Sequence, residues 1–337
     1  MGLFDRIFKK PNTDRALVND GYFKTLTAYR PHFSTWNGEL YEVELVRAAI
    51  DARARHISKL KVEIQGAAKP TLQTKLRLKP NNWQTWSQFL YRTSTILDMH
   101  NTVCIVPVYD DLMNPVGYYP VLPTRCDIVE ADGIPFLRYE FTHGQKAATY
   151  LEECAIITKF QYKSDFFGEK NTALDTTMQL VHLNNEGIKE AVKNGATYRF
   201  AARVNNFSFV EDLKQERKRF NEANFQSDDS DNGGLLLFPN TYSDIKQIDQ
   251  KAYTVPETEL SEIRRNVYNY FAVNEEVLQS KAFGDAWAAF YESVIEPFAI
   301  QFSETMTQAM FSDRERAQGS LLMATSNQLQ YMTTTEK

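Results

Sequence analysis

The residues that bear on chemistry are few, and their spacing argues against most of it. His100 and Cys104 stand four apart, the separation that puts two zinc ligands on one face of a helix. At that point the chain turns into Val103-Cys104-Ile105-Val106-Pro107-Val108-Tyr109, an apolar run of strand character, and no second His or Cys pair follows. The other histidines, His32, His56, His143 and His182, are scattered. Cys104, Cys126 and Cys154 are odd in number, far apart and without a Cys-x-x-Cys pair, so they read as buried free thiols of a chain assembled in a reducing cytoplasm. No Walker lysine loop, Gly-x-Gly-x-x-Gly, His-Glu-x-x-His or Gly-x-Ser-x-Gly occurs. The expectation is a protein that is not an enzyme, with no catalytic residue, no cofactor and no metal.

Charged groups point to binding instead. Lys214, Arg217, Lys218 and Arg219 crowd one helical stretch, 210–225. Such a patch docks an acidic partner, pairs with Asp228, Asp229 and Asp231 of a neighbouring copy, or faces solvent. Arg53, Arg55, Lys59 and Lys61 form a second basic group, but no aromatic residues interleave them as in a base-stacking groove. Lys281 stands in a polar loop, Asn274–Phe283, and by itself reads as a solvated lysine. Glu275 and Glu276 of the same loop either line an acidic surface or begin a helical turn after Asn274. The net charge is −5, which argues against tight, whole-surface DNA binding. It is compatible with a channel wall past which DNA slides. No apolar run reaches the ~20 residues of a membrane helix. The opening Met1-Gly2-Leu3-Phe4-Asp5-Arg6-Ile7-Phe8-Lys9-Lys10 is interrupted by charges, unlike a signal peptide, and Arg6 breaks the myristoylation pattern. It reads as a short arm that docks on a neighbour or lacks structure.

The elements that would carry these groups follow from periodicity. Residues 41–58 predict a helix, with Val46, Ile50, Arg53 and Ile57 near one face. Lys59–Gln65 alternates like a strand. Lys79-Pro80-Asn81-Asn82 predicts a turn into a second helix, 84–99. From Thr102 to Phe160 the texture is that of strands, with turn signals at Asn114-Pro115 and at Asp132-Gly133, the latter between the arms of a hairpin. Residues 172–193 predict one helix of roughly 33 Å, ended by Asn194-Gly195. A small α/β insert follows: a strand at Tyr198–Val204, the charged helix 210–225, an acidic loop Ser227–Gly234, and strands at Leu235–Phe238 and Tyr242–Ile248. A helix from Val255-Pro256-Glu257 runs to about Ala272. A last helix, 284–311, should kink or split at Pro297, and 319–337 reads as a tail that frays.

That order resembles the HK97-type phage portal protein family, on five stretches spanning about 40 to 311. Pro80-Asn81-Asn82-Trp83-Gln84-Thr85-Trp86-Ser87-Gln88-Phe89 with His100-Asn101-Thr102-Val103-Cys104-Ile105 is similar to the family's "hxPN…T…F" helix and "GNAYI" strand. Asn101 is kept, while His100 and Thr102 replace small residues. Tyr119-Pro120-Val121-Leu122-Pro123 resembles "LxPLxP". Tyr270-Phe271-Ala272-Val273-Asn274-Glu275-Glu276-Val277-Leu278 resembles "FgVPxxxL", with Asn274 in the place of proline. Ala289-Phe290-Tyr291-Glu292-Ser293-Val294-Ile295-Glu296-Pro297 resembles "FxxxtIxP", and Met1–Phe8 resembles a common opening. The "GlSpL" box is reduced to Gly168-Glu169-Lys170-Asn171-Thr172-Ala173-Leu174.

The resemblance implies an α+β, portal-like subunit with a β-rich wing, two long stem helices, a small α/β clip insert and C-terminal helices. Its parts would be an N-terminal arm (1–40), wing (41–168), stem helix (169–197), clip (198–252), stem helix (253–273), tunnel loop (274–284), wing helices (285–318) and a short crown or tail (319–337). It implies a ring, usually a dodecamer, at one capsid vertex of the virion. That ring would conduct double-stranded DNA through weak, non-specific contacts and meet a terminase large subunit, a head–tail connector and the major capsid or scaffold protein. Glu275, Glu276, Gln279 and Lys281 would face the channel, and Lys214, Arg217, Lys218 and Arg219 would dock partners on the clip. Two other readings stand beside it: a capsid or connector-type assembly protein without a channel, and a cytoplasmic enzyme of unknown type.

Overall fold

Thr85 starts the central helix of the molecule. Its hydroxyl accepts from the Gln88 backbone N–H while the Gln88 side chain accepts from Thr85 N–H, so two orphan donors are satisfied reciprocally. In the computed structural model, which describes residues 24–25, 41, 43–142, 144–195, 200–204, 210–225, 242–247 and 256–326, the chain divides into two units. Residues 1–179 with 258–337 make the first, and 180–257 make the second. Both mix helix and strand.

In the first unit, helix α1 (Glu44–Ile57) buries Val46, Ala49, Ile50, Ala52, Arg53, Ala54 and Ile57. Its run of alanines lets other elements approach closely. Strand β2 (Lys61–Gln65) follows, then helix α2 (Pro70–Leu78), for which the sequence reading had no element. Its signals are Pro70 at a first-turn position and Leu72 and Leu76 one turn apart, both buried. Helix α3 (Trp86–His100) ends at Asn101, which is left-handed (φ 55°) and fully buried.

Two sheets follow from strands β3 (Thr102–Tyr109), β4 (Pro115–Val121), β5 (Arg125–Ala131), β6 (Ile134–Glu140), β7 (Lys146–Tyr150) and β8 (Ala155–Thr158). One has the order β4-β3-β8; the other is β5-β6-β7, extended by a two-residue strand β1 (Lys24–Thr25) beside β5. Their facing side chains, Cys104, Val106 and Val108 against Cys126, Ile128, Leu137 and Tyr139, form the core between them. Helices cover the other face of β3, which explains its unbroken apolar run. Pro107 is tolerated inside it because β8 pairs only with Thr102–Ile105, and its cross-strand partner Tyr118 sends its own N–H to Pro80 O at 2.8 Å. Asp132 (φ 52°) and Gly133 (φ 79°) close the β5–β6 hairpin, as their types require.

The third sheet pairs β2 with β11 (Leu321–Thr325). This changes the reading of the start of the tail 319–337; residues 327–337 lie outside the described residues. Leu322 and Ala324 are buried, Leu322 N–H donates to Thr307 Oγ1 at 2.9 Å, and Ala324 N–H donates to Ser303 Oγ at 2.9 Å. The expected break near Pro297 takes a specific form. Helix α8 (Gly284–Phe290) passes into one π turn (Tyr291–Ile295) and then into α9 (Glu296–Met310). Here α4 denotes Asp175–Gly195, α5 Val210–Phe225, α6 Glu257–Tyr270 and α7 Glu275–Leu278. Proline lacks an N–H and would collide with the carbonyl one turn back, and the widened turn lies directly ahead of it, where that collision would fall.

The second unit holds most of α4, helix α5, and the antiparallel pair β9 (Phe200–Val204) and β10 (Tyr242–Gln247). The register of that pair shifts between Ser243 and Lys246. The acidic loop Ser227–Gly234 and the strand expected at Leu235–Phe238 lie outside the described residues, as does the N-terminal arm apart from β1.

Candidate functional site

The candidate channel residues sit just beyond α6, whose final turn is a Schellman closure. Val273 N–H reaches Tyr268 O at 2.9 Å and Ala272 N–H reaches Asn269 O at 3.0 Å, with Ala272 left-handed (φ 52°) in the place usually taken by glycine. Val273 then buries itself, and Asn274 Oδ1 accepts from Val277 N–H at 2.8 Å to start α7. The expected polar loop 274–283 therefore contains a capped helical turn. Glu275 and Glu276 occupy its first turn, where carboxylates suit the exposed N–H groups, and both are exposed. Lys281 Nζ donates to Gln279 Oε1 at 3.0 Å, and the Lys281 and Ala282 N–H groups both reach Glu276 O. Ser280 is left-handed (φ 58°). All four predicted residues thus project from one small, internally bonded turn.

What anchors this turn was not singled out from the sequence. Phe271 O, left over by the Schellman closure, accepts from Arg53 Nη1 at 2.6 Å. The same guanidinium lies 3.0 Å from Asp98 Oδ2, and Asp98 Oδ1 accepts from Lys159 Nζ at 2.7 Å. The side chains of Arg53, Asp98 and Lys159 are 8%, 0% and 18% exposed. One carboxylate thus faces two cations in the interior, and the C-terminal carbonyl of α6 supplies further negative potential. Burial pulls the Lys159 ammonium below its ordinary value, Asp98 opposes this, and Arg53 adds to it. Lys159 also lies 5.4 Å from the Phe160 ring centroid and 6.0 Å from that of Phe271. Tyr270 OH donates to Asn171 Oδ1 at 2.6 Å, while Asn171 Nδ2 donates to the carbonyls of Asp98 and Met99 at the end of α3. The signal in the sequence was Arg53 itself, a charged residue on the apolar stripe of α1.

Lys214, Arg217, Lys218 and Arg219 are exposed along α5 of the second unit. Of the other basic group, Arg55 pairs with Asp51 at 2.8 Å and Lys61 with Glu63 at 2.7 Å, both at the surface. His100 ends α3 while Cys104 lies within β3, so their four-residue spacing does not fall on one helix. Cys104 Sγ instead lies 4.0 Å from Cys126 Sγ across the two sheets, and burial pushes the Cys126 and Cys154 thiols up. Among the described residues there is no cluster of three or more His, Cys, Asp or Glu arranged to hold a metal, and no helix long and apolar enough to cross a membrane.

The family model described as phage portal protein matches residues 44–337. The chain belongs to the phage portal protein family. Portal proteins are structural and not catalytic. The match runs past the end of the likeness read from the sequence and takes in β11. Solved structures share the fold. A chain from the neck of an empty gene transfer agent particle, computed with C6 symmetry, has a TM-score of 0.65 at 14% identity, covering 94% of this chain and 90% of that one. A chain from the neck of a native gene transfer agent particle, computed with C12 symmetry, has a TM-score of 0.62 at 15% identity, with coverage of 87% and 83%. An HK97 family phage portal protein from Corynebacterium diphtheriae has a TM-score of 0.53 at 13% identity, with coverage of 89% and 98%. No curated protein sequence matches this portal chain at significance.

Proposed function

We propose that this portal chain forms a ring, a dodecamer, at one capsid vertex of a virion and conducts double-stranded DNA during packaging and ejection. The family match over residues 44–337 carries the reading. It is supported by fold likeness to chains of particle necks, one of them computed with C12 symmetry. In this reading 41–168 and 285–318 form the wing, α4 and α6 the stem, 198–252 the clip, and 274–284 the channel segment. Glu275, Glu276, Gln279 and Lys281 face the DNA. Two acidic groups beside a single basic one give weak contact to phosphates without sequence preference, which lets DNA move instead of sticking. The exposed basic face of α5, Lys214, Arg217, Lys218 and Arg219, docks the terminase during packaging and the head–tail connector afterwards. The wing meets the capsid or scaffold protein, and assembly takes place in the host cytoplasm.

Electron microscopy of the purified chain, with end-on class averages, tests this. Closed rings of about twelve subunits with a pore wide enough for duplex DNA are expected. Rings with a filled centre would remove the channel and leave a connector-type assembly role.

A further inference from the structure

The channel segment is not a slack loop. Every backbone N–H from Val277 to Ala282 is bonded within the segment, Val273 and Val277 are buried, and two non-glycine residues are left-handed, Ala272 at its start and Ser280 within it. Such a unit moves as one body about its ends or not at all. Its entry is fixed by few contacts. Arg53 of α1 holds Phe271 O, Tyr270 holds Asn171, and Lys159 lies over the rings of Phe160 and Phe271. Arg53 and Lys159 are in turn held by the one carboxylate of Asp98 on α3. The guanidinium is thus shared between Asp98 on a wing helix and the carbonyl of Phe271, just past the end of α6. Phe160 is itself left-handed (φ 50°), which is costly for an aromatic residue and persists only where surrounding contacts over-determine it.

We propose that Arg53, Asp98 and Lys159 form a latch that positions the channel segment relative to the wing helices α1 and α3, so that a shift of α1 against α3 is passed to residues 272–282. Arg53 is the positioning residue. Its extended guanidinium lies against Asp98 as an ion pair through Nε while Nη1 donates to Phe271 O, which a lysine, a single compact cation, cannot do at once. Charge in the cluster is needed for position and not for folding, because apolar replacements of buried ion groups are often neutral or stabilising.

The inference rests on reading 274–284 as the channel segment, but its test does not use the channel. Hydrogen exchange of the full chain, read by mass spectrometry, follows the amides of 272–282 and those of β3. In Arg53→Lys the thermal midpoint should stay near wild type, the amides of 272–282 should exchange about ten- to a hundredfold faster, and β3 should be unchanged. The triple variant Arg53→Met, Asp98→Leu, Lys159→Met should recover any stability lost in Asp98→Asn without recovering that protection. Wild-type exchange in Arg53→Lys, or protection returning with stability in the triple variant, would overturn the latch. A missing pore in end-on images would remove the channel reading while leaving the latch standing.

Discussion

His56 shows how a residue that looks available for chemistry becomes a packing element. Its ring lies 4.6 Å from the Trp287 ring and 5.6 Å from that of Phe290, joining α1 to α8. Burial, with Lys59 and Arg55 nearby, lowers its pKa from 6.5 to about 4. His100 is lowered to about 4 by burial alone. The unfolded chain takes up these protons near 6.5 and the folded chain only near 4. Stability is therefore present above pH 6.5 and is lost as pH falls towards 4. Urea midpoints should drop between pH 7 and 4.5, and by less in His56→Phe, which keeps an aromatic ring against Trp287 and Phe290. Equal drops in both proteins would clear His56 of any part in the acid sensitivity. Two asparagines of the family-like stretches have equally local explanations. Asn81 accepts from Trp83 N–H and Gln84 N–H while donating to Tyr118 O on β4, and Asn101 terminates α3 in a conformation few residues other than glycine adopt easily. Their residue types announced a turn; which distant segment each would hold, Tyr118 for Asn81 and Glu169 for Asn101, could not be read without the tertiary fold.

At the level of elements, α1, α3, the β5–β6 hairpin, α4 and α6 were legible because each has a strong period and a local stop signal. The elements missed or misjudged depend on distant partners. α2 is short, and its two buried leucines resemble an ordinary loop's apolar residues until the rest of the unit covers them. β11 looks like a fraying tail because its strand character comes from pairing with β2, more than 250 positions earlier. Leu322→Ala tests that assignment. Leu322 is 1% exposed, so the loss should be about 2–5 kcal/mol, read as a lower urea midpoint. A loss under about 0.5 kcal/mol, typical of a surface position, would show that the strand is not docked. The segment 274–283 is legible as polar, and the helical turn read after Asn274 forms there; its anchor is not legible, because the decisive partner of its entry, Arg53, lies 218 positions from Phe271.

For the whole molecule, the candidate residues were foreseeable as types and positions, while their anchor was not. Glu275, Glu276 and Lys281, named from the family resemblance, and the basic face of α5 are exposed, and exposed charges need no partner to be recognised. A buried charge is recognised only with its counter-charges, and these come from α1, α3 and the end of β8. The acidity of the chain, −5 overall, leads to a prediction at this scale. Binding to duplex DNA should be detectable by fluorescence anisotropy near 25 mM salt and absent by about 200 mM, without sequence preference. Tight binding that survives at the higher salt, or favours one sequence, would contradict a sliding contact.

The second unit is inserted into the first, leaving after Gln179 and returning at Thr258. Folding of the first unit must therefore close a loop made of the whole of residues 180–257, whatever that loop contains. Closure entropy grows only with the logarithm of length, so doubling the insert would cost about 0.6 kcal/mol. An insert of this kind can lengthen, shorten or be exchanged between lineages while the host unit still folds. The portion of the chain proposed to meet other machines is thus the portion most free to change as those machines change.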